Sequence, residues 1–171
     1  MNQCVQQETV AAALLESCRR QGVRIATAES CTGGLIGAAL TAVPGSSDVF
    51  EGGILAYQNR VKETLLGVSS QVLATEGAVS CTCARQMAEG AMRALRTELA
   101  MASTGIAGPG GATETKPVGL VYIGIAWRDR NGTVCSRASE NRFGGNRDAV
   151  RAQTVATALE MAQRCLQERE N

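Results

Sequence analysis

The chain contains no histidine, and its 171 residues include two lysines, three prolines and 3% aromatics. The missing imidazole is the most restrictive absence. It removes the Ser-His-Asp triad, the Cys-His dyad, H-E-x-x-H metalloproteases and every metal site that relies on histidine ligands. Acid–base chemistry then falls to lysine, carboxylate, tyrosine or cysteine. With so few aromatics, the core has to be built from Ala, Val, Leu and Ile. A formal net charge of +1 leaves no electrostatic footprint for nucleic acid or an anionic membrane. No run approaches the ~20 apolar residues of a membrane span. The stretch "MNQCVQQETV" has neither a basic leader nor an apolar segment, so no signal peptide is expected.

The seven cysteines (Cys4, Cys18, Cys31, Cys81, Cys83, Cys135, Cys165) are odd in number and scattered. That suits reduced thiols and a cytoplasmic location better than a disulfide framework. Cys81 and Cys83 form C-x-C, not C-x-x-C, and without a second pair or a histidine no metal site is expected.

The length suits one domain, 1–171, with a core over about 10–166. Helical spacing of Val10, Leu14 and Cys18 predicts a helix over 8–20, stopped by Gly22. "VRIATAE" reads as a strand and "CTGGLIGAALTAV" as a helix that Ser30 or Thr32 can cap. "FEGGILAYQN" reads as a strand, and "RVKETLLG" and "SSQVLATEG" as short helices. "CTCARQMAEGAMRALRTE" is a long helix with Ala84, Met87, Ala91 and Leu95 on one stripe. "LAMASTGIAG" is a strand entering a glycine-rich loop. "VGLVYIGIAWRD" and "TVCSRASENRF" form a hairpin around Asn131-Gly132, and residues 146–169 close the chain as a helix. Alternating helices and strands followed by an antiparallel pair predict a three-layer α/β/α sandwich with a mixed sheet.

Chemistry concentrates in four places. In "ATAESCTGG" a strand meets three nucleophile-type residues, Ser30, Cys31 and Thr32, and then Gly33-Gly34 and a helix. This is the layout of an exposed nucleophile beside helix amides that can hold an oxyanion. It is equally the layout of an N-cap with close-packing glycines, and Cys31 is either a rival nucleophile or a packing residue. Without histidine a serine needs another base, and lysine is the known substitute. Lys62 is a candidate if desolvated, and a surface charge if not. Lys116 fits binding or positioning. "STGIAGPGGATETKPVG" can offer backbone N–H groups to an anion or serve as a flexible connection, and it is neither a Walker loop nor a dinucleotide fingerprint. Arg147 and Arg151 share a helix face suited to a phosphate or carboxylate, or to a solvated pairing with Asp148.

Together "TAESCTGGLIGAALTAVPGSSDVFEGGILAYQNRVKETLLGV", "AVS", "STGIAGPGG", "KPVGLVYIG" and "FGGNRDAVR" closely resemble the C-terminal domain of CinA-type proteins, from about Val10 to Leu166. That family includes the stand-alone nicotinamide-mononucleotide deamidases. The resemblance implies a serine amidohydrolase working without metal or organic cofactor, with Ser30 as nucleophile and Lys62 as base. It further implies that Tyr57 and Thr104 are polar active-site residues and that Ser46 lies in a loop near the pocket. Thr32 and Gly33 amides would hold the oxyanion, while Arg147, Arg151 and the 105–111 loop with Gly105 and Gly108 would grip the phosphate. Asn146 stands where the family commonly has Asp. The implied partner is nicotinamide mononucleotide, with no nucleic acid or membrane partner and with self-association into a homo-oligomer. The longer family members carry an N-terminal domain, so no pyrophosphatase-type activity is expected. The competing readings are a non-catalytic nucleotide-binding module linked to competence or DNA damage, and an amidase acting on another amide.

Overall fold

The computed structural model describes the backbone of residues 3–170 and the side chains of 7–168. Helix α1 (Gln3–Gln21) leads into strand β1 (Ile25–Glu29), and Gly22, at φ 61, makes the turn between them. Helix α2 (Leu35–Thr41), a single 3-10 turn at Ser46–Asp48, strand β2 (Phe50–Leu55) and helices α3 (Asn59–Leu66) and α4 (Ser70–Thr75) follow. Helix α5 (Cys81–Leu95), strands β3 (Leu99–Gly105), β4 (Leu120–Arg128) and β5 (Val134–Arg142), and helix α6 (Arg147–Glu170) complete the order.

The five strands form one mixed sheet in the order β2-β1-β3-β4-β5. Strand β1 pairs in parallel with β2 and β3, whereas β3–β4 and β4–β5 are antiparallel. The expected three-layer sandwich is therefore present. The hairpin turns where the sequence places it, with Asp129 N–H bonded to Thr133 O and Gly132 N–H to Asp129 O. Among the described residues no helix is long and apolar enough to cross a membrane.

The two faces of the sheet differ in side-chain size, because successive residues of a strand point to opposite sides. One face carries Ile25, Leu99, Met101, Ile123 and Ile125, and packs against α1, α2 and α6. The other is paved with small residues in register: Ala26, Ala100 and Ala126 form one row, and Ala28, Ala102 and Gly124 the next. That thin face lets α5 lie directly on the strands. A Cβ on Gly124 would stand 2.2 Å from Ala84 O of α5. On another flank of α5, a Cβ on Gly90 would stand 2.0 Å from Leu66 O, so α3 also sits backbone against backbone. The seating of α3 matters because it carries Lys62.

Gly90→Ala should therefore force α3 away from α5. Overpacking of this kind costs about 1–3 kcal/mol, and urea denaturation measures it. An unchanged midpoint would show that the close approach is not maintained in solution.

Candidate active site

The turn after β1 is built by hydrogen bonds and glycine conformation. Ser30 N–H donates to Ser103 O at 3.0 Å, which extends the β1–β3 pairing by one residue. Gly33 and Gly34 then adopt φ values of 62 and 98, and the chain turns into α2. Neither Ser30 nor Thr32 caps that helix, contrary to the sequence expectation. Glu29 does, as a buried carboxylate that accepts from Gly34 N–H (2.9 Å), Ile36 N–H (3.1 Å) and Gly37 N–H (2.8 Å). Thr32 Oγ1 donates to the same carboxylate at 2.6 Å. A charged acceptor outcompetes a hydroxyl for helix amides, and the helix dipole favours it further.

Strand parity decides what Ser30 meets. Glu29 points toward the α2 layer, and Ser30 continues the alternation toward the layer of α3 and α5. There Lys62 Nζ lies 3.2 Å from Ser30 Oγ. The amine also donates to Ala56 O at 2.8 Å and Tyr57 O at 3.1 Å, and the residue is 1% exposed. Burial pulls the Lys62 amine below the usual lysine value, against the opposing influence of the Cys83 and Cys31 thiols. Desolvation, the condition the sequence set for Lys62 to act, carries the shift. A neutral amine has two N–H donors and one lone pair. Two carbonyls take the donors, which leaves the lone pair for the Ser30 hydroxyl proton.

Ser30, Tyr57, Asn59, Lys62, Thr104, Gly105 and Arg147 line one cleft of about 230 Å³, together with Cys31, Ala78, Val79 and Ala107. Thr104 Oγ1 donates to Ala78 O at 2.7 Å, tying β3 to the wall formed before α5. Lys116 donates to Glu76 O and braces the same wall from outside, in keeping with a positioning role. Cys31 is buried, and burial pushes its thiol up to about 11, far from the thiolate form at neutral pH.

The two arginines part company. Arg147 donates to Gly108 O (2.8 Å) and approaches the Tyr57 hydroxyl (3.4 Å), joining the glycine-rich loop to the β2–α3 connection at the cleft. Arg151 instead donates to Thr32 O at 2.9 Å and braces the turn. Thr32 is fully buried and acts through Glu29, while Gly33 N–H is bonded to Ser30 O and so is taken. Ser46 is not at the cleft. Its 3-10 turn leads to Val49, whose carbonyl accepts from Ile25 N–H at the start of β1, so it lies at the opposite end of that strand. At ~3.3 Å per residue, that end of the strand is roughly 16 Å from Ser30. Among the described residues no group of three or more Cys, Asp or Glu side chains is placed to hold a metal ion.

Sequence reasoning missed Glu29, Ser103, Asn59 and the Ala56 carbonyl. Only Glu29 had a signal: a lone charge ending an otherwise apolar strand just before a helix.

The chain matches the CinA C-terminal domain family over residues 7–166. It belongs to that family. It is 47% identical to a CinA-like protein of Synechococcus sp. (strain RCC307), over 90% of this chain and 36% of that protein. It is 49% identical to a CinA-like protein of Trichodesmium erythraeum, over 90% of this chain and 35% of the other. The chain thus spans little more than a third of these curated relatives. Among solved structures, the competence/damage inducible protein CihA from Agrobacterium tumefaciens shares 45% identity with a TM-score of 0.87, covering 95% of this chain and 96% of that one. The competence damage-inducible protein A (ComA) of Klebsiella pneumoniae shares 29% identity with a TM-score of 0.86, covering 94% and 97%. The CinA fold is therefore shared along nearly the whole length of both structures.

Because the folded value of Lys62 lies below 10.5, the unfolded chain binds the extra proton over the interval between the two. The stability cost of the buried amine is complete below that interval and fades as pH rises through it. Relative to a Lys62→Met variant, the native protein should gain stability as pH rises toward the ordinary lysine value of 10.5, measured by urea denaturation of both. A flat difference would show that the amine titrates normally.

Proposed function

We propose that this CinA-family chain hydrolyses the carboxamide of nicotinamide mononucleotide to nicotinate mononucleotide and ammonia, with Ser30 as nucleophile and Lys62 as base. The observation that carries the reading is the buried Lys62 amine 3.2 Å from Ser30 Oγ, with two carbonyls as its other partners. Ser30 Oγ attacks the carboxamide carbon while its proton passes to the Lys62 lone pair. The tetrahedral adduct collapses as Lys62 returns that proton to the departing nitrogen, releasing ammonia and leaving an acyl-Ser30 ester. Water then gives a proton to Lys62 and its oxygen to the acyl carbon. Ser30 recovers its proton as the nicotinate product leaves. Glu29 occupies the α2 amides of Gly34, Ile36 and Gly37, and Gly33 N–H is taken as well. Of the Thr32–Gly33 pair implied by the resemblance, Gly33 N–H is thus engaged, and Thr32 N–H is left as the candidate oxyanion donor. The high thiol value of Cys31 favours Ser30 as the attacking group.

Ammonia release from nicotinamide mononucleotide tests the reading directly. Ser30→Ala should abolish it. Lys62→Arg keeps the charge but cannot deprotonate, so it should lose the roughly 10²–10⁴-fold typical of a missing general base. The native rate should rise with pH along a limb below the ordinary lysine value, following the lowered Lys62 titration. Substantial turnover by Lys62→Arg would remove Lys62 as base. Nucleotide binding without ammonia release by the native protein would establish a non-catalytic module instead.

Arg147 and Arg151 should separate in kinetics as they do in space. If Arg147 takes the substrate phosphate, Arg147→Ala should raise KM by about 10- to 100-fold, the worth of one charge-assisted contact. Arg151→Ala should mainly lower kcat and thermal stability, because it removes the brace on Thr32 O. Equal kcat/KM for nucleotide and nucleoside would show that neither arginine reads the phosphate.

A further inference from the structure

We infer that Glu29, directly before the nucleophile, is the positioning residue of the dyad and holds both partners through opposite ends of one amino acid. This inference rests on the Ser30/Lys62 reading and deepens it. The side-chain end accepts three helix amides and the Thr32 hydroxyl at 2.6–3.1 Å, which locks the turn carrying Ser30. The main-chain end is the Glu29 carbonyl, which accepts Ala56 N–H at 2.9 Å. Ala56 O in turn accepts from Lys62 Nζ at 2.8 Å. A shift of Glu29 therefore disturbs both the nucleophile and the base's anchor.

Four donors converge on this carboxylate, and its two oxygens serve them as acceptors. That sets the direction of the protons behind the turn. Thr32 spends its single hydroxyl proton on Glu29, so in the 2.7 Å contact between Thr32 Oγ1 and Ser103 Oγ it is Ser103 that donates. Ser103 Oγ also neighbours the Cys31 thiol, and that hydrogen bond works against the burial that raises the thiol. The hydroxyl string therefore runs one way, Ser103 to Thr32 to Glu29. Gly37 is part of the same device: its Cβ position lies 3.5 Å from Glu29 Oε1, on the helix face the carboxylate fills.

Glu29→Gln tests this with little change in volume. The amide oxygen can replace Oε2, but its NH2 then faces Gly37 N–H, donor against donor. The readout is the rate at which a fluorophosphonate probe labels Ser30, followed by mass spectrometry, which requires no knowledge of the natural substrate. Displacement of a reacting group by about 1 Å costs on the order of 10²-fold, so labelling should slow by one to two orders of magnitude. The pH limb set by Lys62 should persist, and circular dichroism should report folded protein. Leu14→Ala, a core variant remote from the cleft, should lose stability yet label at the native rate, which separates positioning from general loosening. If Glu29→Gln does not fold, Thr32→Val breaks the hydroxyl string while keeping the three amide bonds, and should still slow labelling several-fold. Native-rate labelling by a folded Glu29→Gln protein, or by Thr32→Val in its place, would overturn the inference. Absence of Ser30 labelling in the native protein would instead overturn the dyad reading, and this inference with it.

Discussion

Removing a lysine amine from water is the constraint around which this molecule is organised. A charged amine in an apolar interior is costly, and the group responds by giving up its proton more readily. Lys62 is 1% exposed, and its polar contacts are two carbonyls and one hydroxyl. That set satisfies the neutral form completely. The surrounding packing serves to keep it so: Leu66 one turn along α3 is fully buried, and Gly90 of α5 gives its helix the room to press against it.

The sheet supplies the other half through parity. Adjacent residues of a strand face opposite layers, so the Glu29–Ser30 pair divides two tasks between the two sides of the sandwich. Glu29 meets the N-terminus of α2, where a carboxylate is favoured by both the dipole and the free amides. Ser30 meets α3 and the amine. Thr104 falls on the same face of the sheet as Ala100 and Ala102, which places it in the cleft beside Ser30 and Lys62. A thin face of alanine and glycine rows is what makes this geometry possible, because larger residues would hold α5, and α3 packed against its flank, further from the strands.

This arrangement also changes how the strand–turn–helix motif should be understood. Such a motif suggests that the helix amides receive the substrate's developing negative charge. Here the protein's own carboxylate already fills that position, so the helix amides fix the turn and are not open to the cleft. The i, i+4 arginine pair shows a similar division of labour. One guanidinium faces the cleft and the other ties down a backbone carbonyl.

Composition and pattern alone determined a good deal. The absence of histidine restricted the base to a short list, periodicity located the helices and strands, and the order of elements implied the layered mixed sheet. The motifs carried the CinA resemblance and with it Ser30 and Lys62. Local sequence could not reveal which polar residues converge, because convergence depends on contacts between distant segments. Ser46 and Thr104 look alike as hydroxyls near glycines, yet one lies at the far end of β1 and the other in the cleft. Arg147 and Arg151 share a helix face in projection, and only the neighbouring turn decides that the second is a brace. Glu29 looked like the end of a strand until the helix it caps was folded over it. The Ala56 and Tyr57 carbonyls that hold the amine are main-chain atoms, which every residue possesses, so only the tertiary structure could single them out.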